Sequence, residues 1–293
     1  MKKVKRCLKV IISLGFLAVT RLCGYFSSLF NNPKKARCVV LYYHSIPVGQ
    51  RQRFARQMDI LLRWAKPVRA DIMDPLPVGQ NYAAITFDDG FQSVAANALP
   101  ELEKRRIPAT IFVVTGCLGS SPGWVSKEDL ASWSETTMTA EHLRALPRAL
   151  VTLGSHTVSH PRLTRLSADE ARREIQESRR QLGEIANGQP VTLFSFPYGL
   201  FSPELVRLCG EAGYQRVFTT EPSHAFSKPR DFFTGRVSVD ATDWPLEFWL
   251  KLLGCYRWHA TVSAVKRKVF SVGSHPEPAG QGLQKVPKES TIS

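Results

Sequence analysis

From Cys38 onward, short apolar runs rich in β-branched and aromatic residues alternate with segments of helical period, and this alternation constrains the fold more than any other feature. The runs are Cys38–Tyr43, Ala83–Phe87, Thr110–Val114, Val151–Leu153, Val191–Phe196 and Arg216–Thr219. Between them Phe54, Met58, Leu61 and Ala65 share one helical face, as do Ala171, Ile175, Ser178, Leu182 and Ile185. The second of these helices has its own start signal, because Ser167 can accept from the Glu170 amide while Glu170 reaches back to cap it. Another begins at Ser202-Pro203-Glu204, where proline needs no amide hydrogen. Strand-length and helix-length segments in this order predict a parallel sheet or barrel covered by helices, with no internal repeat.

The polar residues just past the ends of these runs point to chemistry. His44 comes after the first, Asp88-Asp89 after the second, His156 and His160 after the fourth, and Pro197-Tyr198-Gly199 after the fifth. In parallel α/β folds the carboxyl ends of the strands lie on one rim, so these groups should meet in space. Asp88-Asp89-Gly90 alone fits a solvated turn as well as it fits a site. Two adjacent carboxylates at the end of an apolar strand nevertheless repel unless something positive sits beside them. His156-Thr-Val-Ser-His160 supplies a second clue: an i, i+4 spacing places two imidazoles on one face of a helical turn, as a divalent cation requires. Two His and one Asp make a three-ligand set with positions left for water and substrate, the open coordination of a catalytic metal.

Charge separates this body from its flanks. The formal net charge of +14 invites a nucleic-acid reading, but residues 1–37 hold nine basic and no acidic residues, and residues 261–293 hold five basic and two acidic ones. The intervening 38–260 body is left with only +2, which argues against nucleic acid as a partner. In the 1–37 segment, Lys2, Lys3, Lys5, Arg6 and Lys9 precede the apolar run Val10–Val19, which Arg21 closes. Three readings stand for this apolar helix: an uncleaved signal-anchor, an interfacial helix, or a helix packed on the domain. Membrane association is favoured because the basic residues cluster on one side. That expectation places the protein at a membrane of the cell envelope. The 261–293 segment, poor in apolar residues, reads as a disordered tail. Six cysteines with no CxxC read as small buried apolar residues rather than zinc ligands or a disulfide framework. Gly116–Ala140 reads as a long loop whose Trp124 and Trp133 either stack on a ligand or anchor the loop.

The residues at the run ends also carry a family resemblance. Thr86-Phe87-Asp88-Asp89-Gly90, His156-Thr157-Val158-Ser159-His160-Pro161 and Phe196-Pro197-Tyr198-Gly199 resemble, in order and spacing, the first three motifs of polysaccharide deacetylases, the NodB-homology domain of carbohydrate esterase family 4. The resemblance runs from about Val39 to about Trp258 and includes Thr219-Thr220, Arg236-Val237, Asp240 and Asp243-Trp244. It implies a distorted (β/α) barrel for residues 38–260 and a hydrolase that removes N-acetyl groups from the sugars of a polysaccharide or glycolipid. It also implies a divalent cation, zinc first, with cobalt, nickel, manganese or iron as alternatives. Carried over, Asp88 is the base, Asp89, His156 and His160 are the metal ligands, and the Tyr198 backbone N–H faces the developing oxyanion. Pro197 and Gly199 fix that turn, Trp244 walls the acetyl pocket, and Asp240 and Asp243 support the catalytic groups. Two departures stand out. Where many members have an Arg two residues before the motif's proline, this chain has Ser195. No late Leu-x-His motif supplies the general acid. Leu41-Tyr42-Tyr43-His44 instead resembles the N-terminal Tyr-His motif of bacterial exopolysaccharide deacetylases with a permuted motif order, which makes His44 the acid and His259 the weaker alternative. Both departures motivate a rival reading as a non-catalytic glycan-binding relative; a non-carbohydrate amide hydrolase of the same fold is the other alternative.

Overall fold

The computed structural model describes residues 2–29, 36–125, 135–187, 189–226, 228 and 230–260. The expected tail 261–293 and Trp133 lie outside the described residues. Nine strands form one sheet: β1 (Arg37–Tyr43), β2 (Lys66–Pro67), β3 (Asn81–Phe87), β4 (Ala109–Val113), β5 (Val151–Ser155), β6 (Leu193–Ser195), β7 (Arg216–Thr219), β8 (Phe233–Gly235) and β9 (Val237–Ser238). The strand order is β8-β7-β6-β5-β4-β3-β1-β9, with β2 paired to β3, and every pairing is parallel. β8 and β9 stand at opposite ends of that order yet are separated in sequence only by Arg236. A single residue reaches no more than about 3.6 Å. The two edges must therefore meet, and the sheet curls into a nearly closed barrel.

The helices are α1 (Lys2–Leu29), α2 (Arg51–Trp64), α3 (Leu99–Arg105), α4 (Ala140–Ala145), α5 (Ala168–Ile185), α6 (Pro203–Glu211) and α7 (Pro245–Leu252). The predicted apolar faces are the buried ones: Phe54, Met58 and Leu61 on α2, and Ala171, Ile175, Ser178, Leu182 and Ile185 on α5. Ser167 and Glu170 make the predicted reciprocal cap on α5, and the Ser202 side chain caps α6. α1 belongs to the same compact unit as the barrel and buries Val10 and Ser13 against it. No described helix is long and apolar enough to cross a membrane. The described part of the N-terminal segment is a helix packed on the barrel. Cys38, Cys209 and Cys255 are buried as expected, whereas Cys7 is exposed on α1.

Side chains alternate along each strand, and the alternation divides the core. Val39, Leu41, Tyr43, Ala83, Ile85 and Phe87 face the helices within the larger cluster. Cys38, Val40, Tyr82, Ala84, Phe112, Leu193 and Phe218 fill the smaller cluster inside the barrel. The inward phase of β1 continues to His44, that of β3 to Asp88, and that of β5, through Thr152 and Gly154, to His156. Gly154 is required by packing, since a Cβ there would lie 2.5 Å from the Phe112 ring.

Candidate metal-centred active site

A cavity of about 420 Å³ opens at the carboxyl end of the barrel. Its lining includes His44, Asp88, Asp89, His156, His160 and Tyr198. All four strand ends therefore meet on one rim, as their positions in the sequence predict. The predicted helical turn does not form. His156–His160 is an irregular loop, with Thr157 at φ 70° and His160 at φ 57°. The two imidazoles converge, 4.9 Å apart, because left-handed backbone folds the loop back on itself. Asp89 (φ 69°) and Tyr198 (φ 58°) share that conformation, which costs a non-glycine residue of order 1–3 kcal/mol and clusters where a site demands it.

Glu174 on α5 holds the loop in shape. Its carboxylate accepts from the backbone N–H of Val158 (2.8 Å) and Ser159 (3.0 Å) and from the Ser159 hydroxyl (2.6 Å). The Thr157 hydroxyl accepts from the His160 N–H at 3.0 Å.

Asp89 Oδ1 lies 3.4 Å from His160 Nε2 and 3.8 Å from His156 Nε2. One ligand atom from each of these three buried residues falls within 4.8 Å of the others. The His156 Nδ1 sits 2.7 Å from the Ser195 carbonyl oxygen. A carbonyl only accepts, so Nδ1 carries a proton and Nε2 is the ring nitrogen that faces Asp89. Burial first, and then His156, push the His160 pKa down to about 2, so the His160 ring is neutral. Burial raises the pKa of Asp89, with Asp88 adding to the rise against the pull of His44 and His156. A pair of imidazoles beside a carboxylate is a donor set of the borderline kind that suits a divalent transition ion. The residues therefore fit the cation that the sequence implied.

Asp88 meets the opposite environment. Burial would raise its pKa, but Arg236 and, less strongly, His156 bring it down to about 2. Arg236 Nη1 donates to Oδ1 at 2.7 Å and Nη2 to Oδ2 at 2.8 Å, the bidentate geometry of a strong ion pair. The same guanidinium donates to the Ser195 hydroxyl (2.7 Å) and the Thr86 hydroxyl (3.2 Å). It lies fully buried against Tyr42, 4.7 Å from that ring. The guanidinium missing at position 195 thus enters from the barrel seam, and Ser195 accepts a hydrogen bond from it. Sequence reasoning noted Arg236 without giving it this role. Its signal was an arginine inside an otherwise buried strand segment, a position that demands a partner.

His44 stands exposed at the cavity mouth, edge-on to Tyr42 at 5.7 Å. Tyr198, 42% exposed, packs its ring 4.7 Å from His160 and under the Arg162 guanidinium at 4.5 Å. Pro197 is buried, and Gly199 (φ 67°) has no room for a Cβ beside Thr220. Trp124 stacks on His160 at 4.5 Å and donates its indole N–H to Asp89 Oδ1 at 3.2 Å. Neither Arg162, Glu174 nor the Trp124 bond was visible in the sequence, because each depends on a loop returning to the rim.

Four expected participants stand elsewhere. Trp244 is not among the cavity's lining residues; it precedes α7, 40% exposed, with Arg6 4.4 Å over its ring. Asp243 accepts from Lys251 at 2.6 Å and from the Asp240 N–H at 3.1 Å, while the Asp240 carboxylate accepts from the Thr242 N–H at 2.6 Å. These contacts shape the β9–α7 turn and tie it to α1 and α7. His259 stacks on Trp258 at 3.9 Å, also outside the cavity lining.

Comparison with known proteins agrees with this geometry. Residues 76–217 match the polysaccharide deacetylase family model. The chain is 26% identical over 225 residues to YxkH of Bacillus subtilis (strain 168), a candidate polysaccharide deacetylase, covering 73% of this chain and 75% of that one. It is 25% identical over 174 residues to the poly-beta-1,6-N-acetyl-D-glucosamine N-deacetylase of Staphylococcus aureus (strain MRSA252), covering 56% of this chain and 57% of that enzyme. The fold matches IcaB from Ammonifex degensii with a TM-score of 0.62 at 24% identity, over 76% of this chain and 98% of that one. It matches the Streptococcus pyogenes deacetylase PplD with a TM-score of 0.61 at 20% identity, over 75% and 99%. Motifs, barrel and family model agree on a polysaccharide deacetylase, a hydrolase whose family model matches residues 76–217 of this chain.

Proposed function

We propose that the protein is a metal-dependent N-deacetylase acting on N-acetylated sugars of a polysaccharide or glycolipid, with zinc as the first candidate cation. The observation that carries this reading is the pairing, inside one cavity, of an Arg-clamped carboxylate with an Asp-His-His set that has no such clamp. Asp89, His156 and His160 would hold the cation. When bound, it supplies Lewis-acid polarisation of the amide carbonyl and lowers the pKa of water.

The chain's own residues do the rest. Asp88, kept ionised and aimed by Arg236, accepts the proton of the attacking water. The left-handed turn at Tyr198 presents its backbone N–H to the carbonyl oxygen as negative charge builds there, with Pro197 and Gly199 fixing the turn. His44 at the mouth gives a proton to the departing sugar amine. The half-exposed Tyr198 and Trp124 rings offer apolar faces against which a pyranose can stack. Arg236 also takes away one of the two sequence-based reasons for a non-catalytic relative, since the base has its guanidinium.

The test is acetate release from N-acetylhexosamine polymers, set against release from small non-sugar amides, with metal analysis on the same sample. Chelator-sensitive release from the glycans is expected. Protein free of divalent metal with no chelator-sensitive release would overturn the assignment, and release from the small amides alone would move it to another substrate class.

A further inference from the structure

We infer that α1 fastens to the barrel by one face and, by the opposite apolar face, docks the enzyme on an anionic lipid bilayer. Docking of this kind does not depend on which reaction the barrel performs.

The inner face is marked by Arg6, Val10, Ser13 and Thr20, which are buried or partly buried. Arg6 pairs with Glu247 at 2.5 Å and donates to the Thr242 carbonyl at 2.8 Å, and the Trp258 indole N–H donates to Ser13 at 3.0 Å. On the far side stand Val4 (72% exposed), Leu8 (55%), Ile11 (64%), Leu14 (40%), Val19 (58%) and Leu22 (61%). At 100° per residue Val4, Leu8, Ile11, Val19 and Leu22 lie roughly 130–170° around the helix from the mean direction of Arg6, Val10 and Ser13, with Leu14 on their flank. An apolar stripe about 27 Å long, from Val4 to Leu22 at 1.5 Å per residue, is more than a scatter of surface side chains.

Charge selects the occupant. Exposed Lys3, Lys5 and Arg21 border the stripe, and residues 1–37 contain no acid. Anionic headgroups complement such a border, whereas a second copy of the chain docked through this face would bring like charges together. Among the described residues no helix is long and apolar enough to cross a membrane, and crossing would break the Arg6–Glu247 pair.

The geometry also sets the pose. Arg6 reaches the turn beyond the carboxyl end of β9, while Arg21 lines a cleft with Arg37 and Asn81, the first residues of β1 and β3. α1 therefore runs alongside the strands. Docking lays the barrel on its side, with the cavity mouth opening along the membrane surface.

The test is flotation of the full chain with phosphatidylcholine vesicles and with phosphatidylcholine–phosphatidylglycerol vesicles. Salt-sensitive binding to the second kind is expected. The triple variant Leu8→Gln, Ile11→Gln, Val19→Gln and the double variant Lys3→Glu, Lys5→Glu should each weaken it by about tenfold or more, with circular dichroism and Tm unchanged. No binding by the wild type would overturn the inference, as would undiminished binding by the glutamine variant. So would a wild-type dimer that the glutamine variant dissociates, or membrane-bound protein that resists alkaline carbonate extraction.

Discussion

Asp88 and Asp89 are neighbours in sequence, both almost fully buried, yet the barrel treats them in opposite ways. Asp88, on the inward phase of β3, meets a guanidinium that answers both of its oxygens. Asp89, turned out of strand phase by its left-handed backbone, meets two imidazoles and an indole N–H. Burial presses both toward the protonated form; Arg236 reverses this for Asp88, and no arginine or lysine does so for Asp89. A buried carboxylate without a paired positive charge is costly. The half of the site around Asp89 is thus built to receive a cation, and the half around Asp88 already has one. In the proposed function, two identical residue types serve as base and ligand because of what faces them.

Substitution tests that division most strongly at the carboxylates themselves. Asp88→Asn should retain metal, by elemental analysis, while turnover falls by about 10²–10⁴-fold. Asp89→Ala, His156→Ala and His160→Ala should each lose the metal and with it the turnover. If Asp88→Asn shed metal as readily as Asp89→Ala, the two halves would be one ligand set and the comparison would fail.

Arg236→Met leaves Asp88 buried and unpaired, so denaturant unfolding should show a loss of about 3–5 kcal/mol. Adding Asp88→Asn should recover much of that loss, because no charge is then stranded. Equal stability of the single and double variants would show that the clamp is not what settles Asp88.

His44→Ala touches neither half. It should keep both metal content and Tm, with turnover slowed about 10²-fold or more; unchanged kinetics would return the proton donor to His259 or to water.

The smallest effect should come from Glu174→Gln, which loosens the loop between the two histidines. Metal affinity, read by titration of the metal-free protein, should fall about 10–100-fold, and excess metal should restore turnover. An unaltered affinity would mean that the loop holds its left-handed form without α5.

Much of this was legible in the chain, for a local reason. The inward phase of each strand continues by strict alternation to the residue just past its end, so His44, Asp88 and His156 could be placed on the rim from sequence alone. The faces of α2 and α5 and the Ser167 cap derive from equally short-range rules. The helical turn expected at His156–His160 failed because spacing reports separation along the chain and not the sign of φ. Thr157 and His160 adopt left-handed backbone that only the surrounding hydrogen bonds, including those from Glu174, can hold. Trp244, Asp240 and Asp243 fell outside the cavity for a related reason. Closeness to Arg236 in sequence does not survive the turn after β9, whose side chains are taken up by α1 and α7.

By itself, the sequence determined the parallel α/β architecture, the side of the barrel on which the polar groups gather, and the donor types available to a cation. Periodicity and strand-end position act over a few residues, and so they can be read along a line. The tertiary structure alone decided that Arg236 replaces the guanidinium missing at position 195, and that α1 turns one face to the barrel while leaving the opposite, apolar face bare. Both depend on closing the sheet, which brings together residues 148 positions apart at Asp88 and Arg236 and 241 apart at Arg6 and Glu247. No local rule in the sequence carries that information, because those contacts form only when the barrel edges meet.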